Sequence, residues 1–507
     1  MLARTLSATP WGIDAQTVTV EVDVHWGQLP SVQIVGLADA AVKESRERVR
    51  RAIRNAGFDL PARVVVVNLA PADLRKEGNH LDLAIALGLL VAYGHLPPEV
   101  LEGRLFCGEL GLDGTVRSVR GGLALADLAA RLGVREILLP TETAAEAAAL
   151  GLVPVIGVDT LAEAIGHVLG SHPREPSAPG QPRDEEPGSL DLADVKGQEV
   201  AKRALEVAAA GGHNVLFVGP PGSGKTLLAR RLPGILPPLG RSEAIAVTKI
   251  HSLGAERGPG GLIHRRPFRC PHASVSTAAL IGGGSVPRPG EVSLAHHGVL
   301  FLDELPEFRR DTLEALRQPL EDGEVTVVRT RARLRFPSRF TLVAAMNPCP
   351  CGHLGDARHP CRCPPNLIER YRSRISGPLL DRIDLHVEVP AVGLAELRQG
   401  TGVTTALVAA RVARARELQL QRYGPEAPTP TNAGLDSAGL RRHVTVDTAA
   451  QALLDRAYER LGLSLRALDR VLKVARTLAD LAEAPVVTAT HLAEAIQYRS
   501  LDRRSQP

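Results

Sequence analysis

The pattern of apolar and polar positions predicts both strands and helices in the first 170 residues. Two stretches rich in β-branched residues, "TVTVEVDV" (17–24) and "ARVVVVNLA" (62–70), are typical of β-strands. Two others, "LDLAIALGLLVAYG" (81–94) and "GGLALADLAARLG" (121–133), carry apolar residues at helical spacing. We therefore expect an α+β domain at the start of the chain.

A polar segment follows this domain and marks a boundary. Residues 171–189 read "SHPREPSAPGQPRDEEPGS", which is rich in Pro, Gly, Ser and charge and contains no large apolar residue. Such a composition cannot form a packed core and is typical of a solvated linker. We predict an N-terminal domain over residues 1–170 and a linker over 171–190.

The clearest motif follows the linker, in "HNVLFVGPPGSGKTLLARRL". An apolar strand leads into G-x-x-x-x-G-K-[ST] and a helical pattern follows, which is the context that a Walker A phosphate-binding loop requires. The glycines let backbone N–H groups surround phosphates, the lysine reaches the β and γ oxygens, and the hydroxyl binds Mg2+. An accidental Gly-rich turn is the alternative, which this context disfavours. The predicted nucleotide-binding residues are Gly219, Pro220, Pro221, Gly222, Ser223, Gly224, Lys225 and Thr226.

A second motif supports nucleotide hydrolysis. "GVLFLDELPEF" is an apolar strand that ends in Asp303 and Glu304. In a Walker B motif, Asp303 would complete the Mg2+ shell beside Thr226, and Glu304 would polarise the attacking water. By itself, an Asp-Glu pair after an apolar strand is usually only a strand end. The prediction of an ATPase therefore depends on the combination of the two motifs.

Four of the six cysteines lie in one short segment, "MNPCPCGHLGDARHPCRCPP". In a reducing compartment, two Cys-x-Cys pairs favour metal ligation over disulfide bonds. Four thiolates suit a closed, tetrahedral Zn2+ site, and His353 or His359 could replace one of them. An iron–sulfur cluster and unligated thiols are the alternatives. We predict a structural zinc site in an insertion over 349–363, with the ligands Cys349, Cys351, Cys361 and Cys363.

Composition changes this picture little. With 507 residues, 44% hydrophobic and 23% charged, the chain is typical of globular proteins and long enough for about three domains. The longest apolar run, 83–93, is shorter than the roughly 20 residues of a transmembrane helix, so we expect no membrane partner. The N-terminal "MLARTLSATPWGID" has no signal-like apolar core, which predicts a cytoplasmic protein. A net charge of +4 does not by itself indicate nucleic acid.

Later segments resemble AAA+ ATPases of the group that contains magnesium chelatase I subunits, MCM helicases and MoxR proteins. "FTLVAAMNP" is an apolar strand that ends at Asn347, which is placed like the sensor-1 residue that orients the lytic water. In "YRSRISGPLLDRIDLHVEVP", Arg382 matches the arginine finger that acts on a neighbouring subunit's nucleotide, and Arg374 is its competitor. In the amphipathic pattern "SLRALDRVLKVARTLADL", Arg466 matches the sensor-2 position of a C-terminal lid.

A closer resemblance is to the YifB/ComM family of magnesium-chelatase-like AAA+ proteins. It rests on "RCPHASVSTAALIGGG", "PRPGEVSLAHHGVLFLDELPEF", "AAMNPCPCGHLGD" and "LKVARTLADL". The family usually has two adjacent histidines after the proline of the first string. Here His272 is followed by Ala273, which puts any role of that pair in doubt.

The resemblance implies the fold class and the partners. The fold would be α/β, with a P-loop AAA+ core over 191–392 and a C-terminal helical lid domain over 393–507. ComM-like proteins are hexameric, ATP-driven branch-migration motors that help to integrate incoming DNA during transformation. We therefore expect ATP and Mg2+ as cofactors, a homo-hexamer, and single-stranded or branched DNA as the partner.

The N-terminal domain resembles the proteolytic domain of Lon, a ribosomal S5 domain 2-like fold. The resemblance rests on "LAPADLRKEGNHLDLAIAL" and "GELGLDGTVRSVRGGLALADLAARLGVREILLP". Lon's chemistry needs a serine and a lysine, but this sequence has His80 at the serine position and Ala124 and Ala126 in the lysine region. We therefore expect a non-proteolytic domain with a role in assembly or DNA engagement. His80 is interpreted as a structural histidine rather than a remnant of catalysis.

The segment "EVTVVRTRARLRFPSRF" indicates a DNA contact, because it occupies the place of the pre-sensor-1 hairpin in this AAA+ group. On one extended strand, its alternating arginines would share a face and grip a phosphate backbone without reading bases. A turn near Arg331 would split that face but leave a basic hairpin tip, and a solvated charged hairpin is the alternative. The candidate DNA contacts are Arg329, Arg331, Arg333 and Arg335.

Three classes of function compete on these observations. The first is an ATP-driven DNA translocase, the second a magnesium chelatase motor subunit, and the third a MoxR-like chaperone that remodels proteins. The Lon-like domain and the cysteine insertion favour the first class, because chelatase I subunits ordinarily carry neither.

Overall fold

The computed structural model describes residues 2–27, 29–37, 39–74, 76, 78–181, 190–254, 260–284, 288–329, 332–356, 359–393, 402–424, 427 and 430–499. No helix within these ranges combines the length and the apolar character that crossing a lipid bilayer requires.

Strands and helices are interspersed up to residue 169. Their bounds are β1 (Leu2–Trp11), β2 (Asp14–His25), β3 (Ser31–Val35), α1 (Ala40–Asn55), β4 (Val64–Ala70), α2 (Asp82–Ala92), β5 (Arg104–Phe106), β6 (Glu109–Leu110), β7 (Val116–Arg117), α3 (Gly122–Leu132), β8 (Glu136–Pro140), α4 (Thr141–Ala148), β9 (Val155–Val158) and α5 (Leu161–Leu169). The two strands and two helices predicted from apolar spacing are confirmed as β2, β4, α2 and α3.

A seven-stranded mixed sheet organises this part, in the order β3-β4-β2-β1-β5-β8-β9. The pairs β1–β2 and β2–β4 are antiparallel, whereas β3–β4, β1–β5, β5–β8 and β8–β9 are parallel. Successive residues of one strand face opposite cores, so that Leu105 and Phe106 belong to different hydrophobic clusters. Both faces of the sheet are therefore covered.

The segment after the linker contains a further set of elements. Their bounds are α6 (Glu199–Gly211), β10 (Val215–Val218), α7 (Lys225–Ala229), α8 (Leu232–Ile235), α9 (Arg241–Gly254), β11 (Phe268–Arg269), α10 (Thr277–Ile281), β12 (Gly282–Gly283), β13 (Arg288–Pro289), α11 (Glu291–Leu294), β14 (Val299–Leu302), α12 (Arg310–Ala315), α13 (Arg317–Asp322), β15 (Glu324–Arg329), β16 (Ala332–Pro337), β17 (Thr341–Met346), α14 (Pro365–Arg372), α15 (Gly377–Leu380) and β18 (Leu385–Glu388).

Five of these strands form a parallel sheet in the order β11-β14-β17-β10-β18. Every residue of β10, β14 and β17 is buried, as expected for a parallel sheet whose two faces are both covered. The predicted α/β class is confirmed, and the three motif-bearing strands are neighbours in this sheet.

The C-terminal part is helical. Its helices are α16 (Thr405–Tyr423), α17 (Ser437–His443), α18 (Thr448–Leu461), α19 (Leu465–Leu481) and α20 (Ala489–Gln497). α19 is the predicted amphipathic helix, and the Ser464 hydroxyl caps it by accepting from the Ala467 N–H. The buried imidazole of His213 connects this helix to the parallel sheet, because its Nε2 lies 2.8 Å from Thr477 Oγ1 and its Nδ1 3.1 Å from Asp384 Oδ2.

The chain divides into two compact units that do not follow chain order. One unit comprises Met1–Glu185, Gly240–His264 and Thr326–Phe336, and the other comprises Glu186–Leu239, Arg265–Val325 and Pro337–Pro507. Helix α9 and most of the β15–β16 hairpin, which lie within the predicted ATPase core in sequence, therefore pack in the first unit.

Candidate functional site

The parallel sheet brings the ends of the motif-bearing strands together. Val218 ends β10 and is in register with Met346, which ends β17, while β14 pairs with β17 in the same direction. The Walker A loop, Asn347 and Asp303 therefore all leave the sheet at its carboxyl edge. In open α/β sheets this edge is where ligands bind.

The Walker A loop has the backbone that its glycines predict. Gly222 and Gly224 adopt φ angles of +75° and +92°, in the left-handed region that favours glycine. Lys225 begins α7, and its Nζ donates to the carbonyl oxygens of Gly219 at 2.7 Å and Pro220 at 2.8 Å. These contacts hold the ammonium group against the loop that would carry the phosphates.

The Lys225 ammonium group is the point at which the three motifs meet. The side chain is 8% exposed, and its Nζ also lies 3.4 Å from Asn347 Oδ1. Burial lowers the pKa of Lys225, and the negative charges of Asp303 and Glu304 oppose that shift. The predicted phosphate ligand, sensor and acids are thus close enough to act on one ligand.

Thr226 and Asp303 provide the arrangement expected of a Mg2+ site. The Thr226 hydroxyl donates to Asp303 Oδ2 at 2.7 Å, so one ion can contact both oxygens. The next residue, Glu304, is exposed and adopts φ +53°, a conformation that costs a non-glycine residue on the order of 1 kcal/mol. Strain of this kind clusters at functional sites, and here it positions the predicted general base.

Gln198 is a member of the site that sequence reasoning missed. Its side-chain amide donates to the carbonyl oxygens of Ser223 at 3.2 Å and of Pro390 at 2.6 Å. These bonds attach the Walker A loop to Pro390, in the segment that follows β18. No local pattern could reveal them, because the partners lie 25 and 192 positions away.

The cysteine insertion contacts the Walker A loop. Gly352 adopts φ +83°, and a Cβ atom added to it would lie 2.6 Å from Pro221 Cδ and 3.9 Å from Asn347 Cγ. Real Cβ atoms do not approach other atoms so closely, so any residue other than glycine at position 352 would force the Walker A loop to shift. The cysteine segment therefore forms part of the wall of the nucleotide site.

The two candidate arginine fingers lie in different surroundings. Arg374, whose side chain is 54% exposed, donates to the Pro306 carbonyl at 3.1 Å and to Glu307 at 3.2 Å, just beyond the chain's own Walker B residues. Arg382 is 6% exposed and pairs with the carboxylate of Glu321. The structure thus places Arg374, but not Arg382, near the Walker B motif of the same chain.

Arg466, the predicted sensor-2 residue, belongs to a cluster of guanidinium groups around Arg382. Burial lowers the pKa of Arg382, and the positive charges of Arg317, Arg470 and Arg466 lower it further. Arg470 is itself paired with Asp384. Arginines of α13, of the α15–β18 connection and of α19 are thus near enough to interact electrostatically.

The four predicted zinc ligands converge. Their sulfur atoms lie within 4.8 Å of one another, with separations of 3.4 Å for Cys349–Cys351, 3.6 Å for Cys349–Cys361 and 3.7 Å for Cys351–Cys361. A tetrahedral site with Zn–S bonds of about 2.3 Å has S···S separations of about 3.8 Å. Backbone N–H groups of His353 and Arg362 lower the pKa of the Cys351 thiol to about 6, whereas burial and the neighbouring thiols raise the pKa of Cys361 to about 12. Both the donors and their spacing fit zinc.

The arginine-rich segment forms a hairpin rather than one strand. β15 ends at Arg329 and β16 begins at Ala332, so the candidate arginines are divided between two strands. Arg333 and Arg335 are exposed on β16, where the alternating Leu334 and Phe336 are buried. Arg331 and the side chain of Arg329 lie outside the described residues.

The residues predicted to occupy the positions of the Lon dyad are buried. His80 is 9% exposed, and its Nε2 has no hydrogen-bond partner among the described residues. Burial lowers the pKa of His80 to about 4, so the ring is neutral at physiological pH. Ala124 and Ala126 lie in the apolar core on α3. This environment supports a structural role for His80.

Matches to known protein families extend over most of the chain. Residues 191–397 match the family described as magnesium chelatase, subunit ChlI; residues 20–143 match subunit ChlI of Mg-chelatase; and residues 402–499 match the C-terminal part of that subunit. The magnesium-chelatase 38 kDa subunit of Rhodobacter capsulatus is a more distant relative, 27% identical over 38% of this chain and 58% of its own length.

Two relatives match over nearly their whole length. The uncharacterized protein YifB of Salmonella typhimurium is 44% identical over 97% of this chain and 96% of its own. The competence protein ComM of Haemophilus influenzae is 44% identical over 100% of this chain and 99% of its own. Together with the converging Walker A, Walker B and sensor-1 positions, these matches show that the chain belongs to the YifB/ComM family of magnesium-chelatase-like proteins.

Proposed function

We propose that this chain is a hexameric motor that hydrolyses ATP to move along or remodel DNA, as a helicase or branch-migration enzyme in recombination or natural transformation. The observation that carries the ATPase part is the convergence of Lys225, Thr226, Asp303 and Asn347 at the carboxyl edge of the parallel sheet. AAA+ ATPases of the magnesium chelatase family use residues of these types for hydrolysis.

We infer a task in ATP hydrolysis for each residue of the site. Lys225 would neutralise charge on the β and γ phosphates, and Thr226 and Asp303 would hold Mg2+, which when bound stabilises negative charge on the phosphate oxygens. Glu304 accepts a proton from the attacking water, and Asn347 orients that water. To contact the phosphates, the Lys225 ammonium group would exchange the carbonyl oxygens of Gly219 and Pro220 for phosphate oxygens.

Assembly into a ring would complete the site. We infer that Arg382 acts on the nucleotide of the next subunit: Arg374 is engaged beside the Walker B residues of its own chain, whereas Arg382 pairs with Glu321 and would exchange this partner for the nucleotide on assembly. A finger in trans makes hydrolysis depend on oligomerisation. Arg466 lies in the same cluster as Arg382, and we infer that both arginines serve the nucleotide at one subunit interface.

DNA is the proposed substrate of the motor. Its support is the exposure of Arg333 and Arg335 on β16, together with the relative whose name is competence protein ComM. Guanidinium groups on a pore hairpin bind phosphates without selecting a sequence. ATP hydrolysis in one subunit after another around the ring would move these hairpins, and the DNA with them.

The C-terminal helices act as the AAA+ lid, the N-terminal unit is a Lon-like domain without proteolytic activity, and the four cysteines hold a structural zinc ion. Location in the cytoplasm stays a prediction from the sequence.

A chelatase motor subunit is the less favoured alternative. The magnesium-chelatase subunit of R. capsulatus aligns with 38% of this chain, whereas ComM and YifB align with at least 97% of it. A MoxR-like chaperone has no specific observation in its favour.

The test is ATPase activity of the purified chain with and without DNA. We expect hydrolysis that forked or single-stranded DNA stimulates, and DNA binding that weakens as salt rises. ATPase activity that neither DNA form changes, combined with no DNA binding at low salt, would contradict the DNA part and leave the ATPase part intact.

A further inference from the structure

A second group of metal-ligating side chains lies within the cysteine insertion. His353, Asp356 and His359 place their ligand atoms within 4.8 Å of one another, and together with the four cysteines they make up the two such groups found in the described part of the chain. The sulfur atoms belong to a separate group, so these histidines are not needed to replace a thiolate.

The three side chains converge on one carboxylate oxygen. Asp356 Oδ2 lies 3.3 Å from His353 Nδ1 and 3.2 Å from His359 Nδ1. The two imidazole rings are neighbours, with centroids 5.1 Å apart. The Asp356 side chain is 7% exposed, whereas the His353 and His359 side chains are 35% and 65% exposed. The carboxylate is therefore fixed at the base of the group, and solvent reaches it from the histidine side.

The loop backbone presents these residues at regular intervals. They occupy every third position between Cys351 and Cys361, and the Asp356 N–H donates to the His353 carbonyl at 3.1 Å in a turn. Gly355 supports this turn with φ +84°. Metal-bound thiolates at both ends of the loop would restrict its conformations further. The entropic cost of ordering the loop around a second ion would therefore be lower.

We propose that His353, Asp356 and His359 form a second metal site, which takes a divalent first-row transition ion such as Zn2+. In a tetrahedral site with bonds of about 2.0–2.1 Å, ligand atoms are about 3.3 Å apart, which matches the two N···O separations. Two imidazoles and one carboxylate suit zinc, iron and nickel, whereas Mg2+ prefers oxygen ligands alone. Solvent would supply the remaining ligand from the exposed side.

The site is distinct from the nucleotide-linked Mg2+ and does not depend on the proposed DNA activity. The donor set is open, because three protein ligands leave a coordination position, whereas the four-cysteine set is closed. An open site binds metal more weakly and exchanges it more readily. The cysteine insertion would then hold two ions of different lability.

The experiment counts metal on the full-length reduced chain. The protein is stripped with a chelator, dialysed against Zn2+ and analysed by elemental mass spectrometry, and a parallel sample is loaded with Co2+ for absorption spectroscopy. We expect two zinc ions per chain in the wild type, one for each group. The double variant His353→Ala/His359→Ala should retain one ion and the full thiolate-to-cobalt absorption.

Three further variants make the result decisive. Asp356→Asn keeps the shape of the side chain and should also lower zinc content to one ion, whereas the exposed His264→Ala should keep both. Cys351→Ser should remove the thiolate absorption and leave the second ion bound. One zinc ion in the wild type that is retained in the double variant, or loss of both ions together in the double variant, would overturn the proposal. One ion lost in the double variant but kept in Cys351→Ser would support it and contradict the thiolate site instead.

Discussion

The hydroxyl group of Thr226 donates a hydrogen bond of 2.7 Å to the carboxylate of Asp303, although 77 positions separate the two residues in the chain. The parallel pairing of β10 and β14 on either side of β17 produces this contact. Two motifs that are individually common in sequences are thereby joined into one candidate Mg2+ site.

Substitutions at the nucleotide site should separate binding from hydrolysis. Lys225→Ala should abolish ATP binding because it removes the ammonium group that neutralises phosphate charge. Glu304→Gln should bind ATP but hydrolyse it about 100-fold or more slowly, because the amide cannot accept a proton from water. Fluorescent nucleotide binding and phosphate release measure the two steps. The exposed Glu99→Gln serves as a control, and near-normal hydrolysis by Glu304→Gln would show that another residue is the base.

Neutralising the hairpin should weaken DNA binding without affecting ATP binding. Arg333→Ala/Arg335→Ala removes two exposed charges. A plot of the logarithm of the binding constant for single-stranded DNA against the logarithm of the salt concentration has a negative slope, and the magnitude of that slope should decrease by about 1.4. Fluorescence anisotropy over a salt series measures this slope. Arg441→Ala/Arg442→Ala removes two exposed charges from α17 and should leave the slope unchanged. Equal effects of the two double variants would indicate non-specific electrostatics.

Mixing variants should identify the arginine finger. Arg382→Ala should lower ATPase activity by about 1,000-fold or more. Adding Lys225→Ala chains to Arg382→Ala chains should restore part of the activity, because a mixed interface then combines an intact nucleotide site with an intact finger. Arg374→Ala should show no such rescue if it acts on its own chain. Phosphate release from the mixtures distinguishes the two, and rescue of Arg374→Ala alone would reverse the assignment.

Disrupting the thiolate group should weaken the nucleotide site. Cys351→Ser should lose the thiolate-bound zinc ion, and ATP affinity should fall several-fold because Gly352 packs against Pro221 of the Walker A loop. Metal analysis and nucleotide titration check both effects. Cys270→Ser lies outside the four-cysteine group and should retain its zinc. Unchanged ATP affinity in zinc-free Cys351→Ser would show that the contact with the loop does not need the metal.

Buried histidines should make the fold sensitive to mild acid. The pKa of His80 is lowered by burial from 6.5 to about 4, so between these values the unfolded chain binds a proton that the folded chain does not. Stability is therefore retained above pH 6.5 and falls as the pH approaches 4, by up to about 1.4 kcal/mol per pH unit for this residue. His80→Leu should reduce the pH dependence of urea unfolding, whereas the exposed His264→Leu should not. An unchanged pH dependence in His80→Leu would contradict the buried, neutral state.

The sequence was sufficient for the elements with strong local signals. The Walker A loop is flanked by the predicted strand and helix, and the four cysteines converge because each Cys-x-Cys pair already places two thiols close together. What local patterns could not predict are contacts between distant residues. Gln198 reaches the Walker A loop and Pro390 only after folding.

The neighbours of charged residues were likewise not predictable from local sequence patterns. The position of Arg466 beside Arg382 depends on how α19 packs, and periodicity identifies the helix but not its neighbours. Alternation along one strand was also an incomplete guide to the arginine segment, because the chain reverses between β15 and β16.

The division into compact units has a practical consequence for truncation. Within the first unit, α9 is tied to the N-terminal residues, because Lys249 pairs with Asp127 at 2.9 Å and the Ser252 hydroxyl bonds the Glu146 carboxylate. A fragment that stops at the linker would lack α9 and would leave Glu146, which is 3% exposed in the intact chain, without this partner. Proteolysis at the linker would accordingly produce two chains that remain associated, rather than two independent domains.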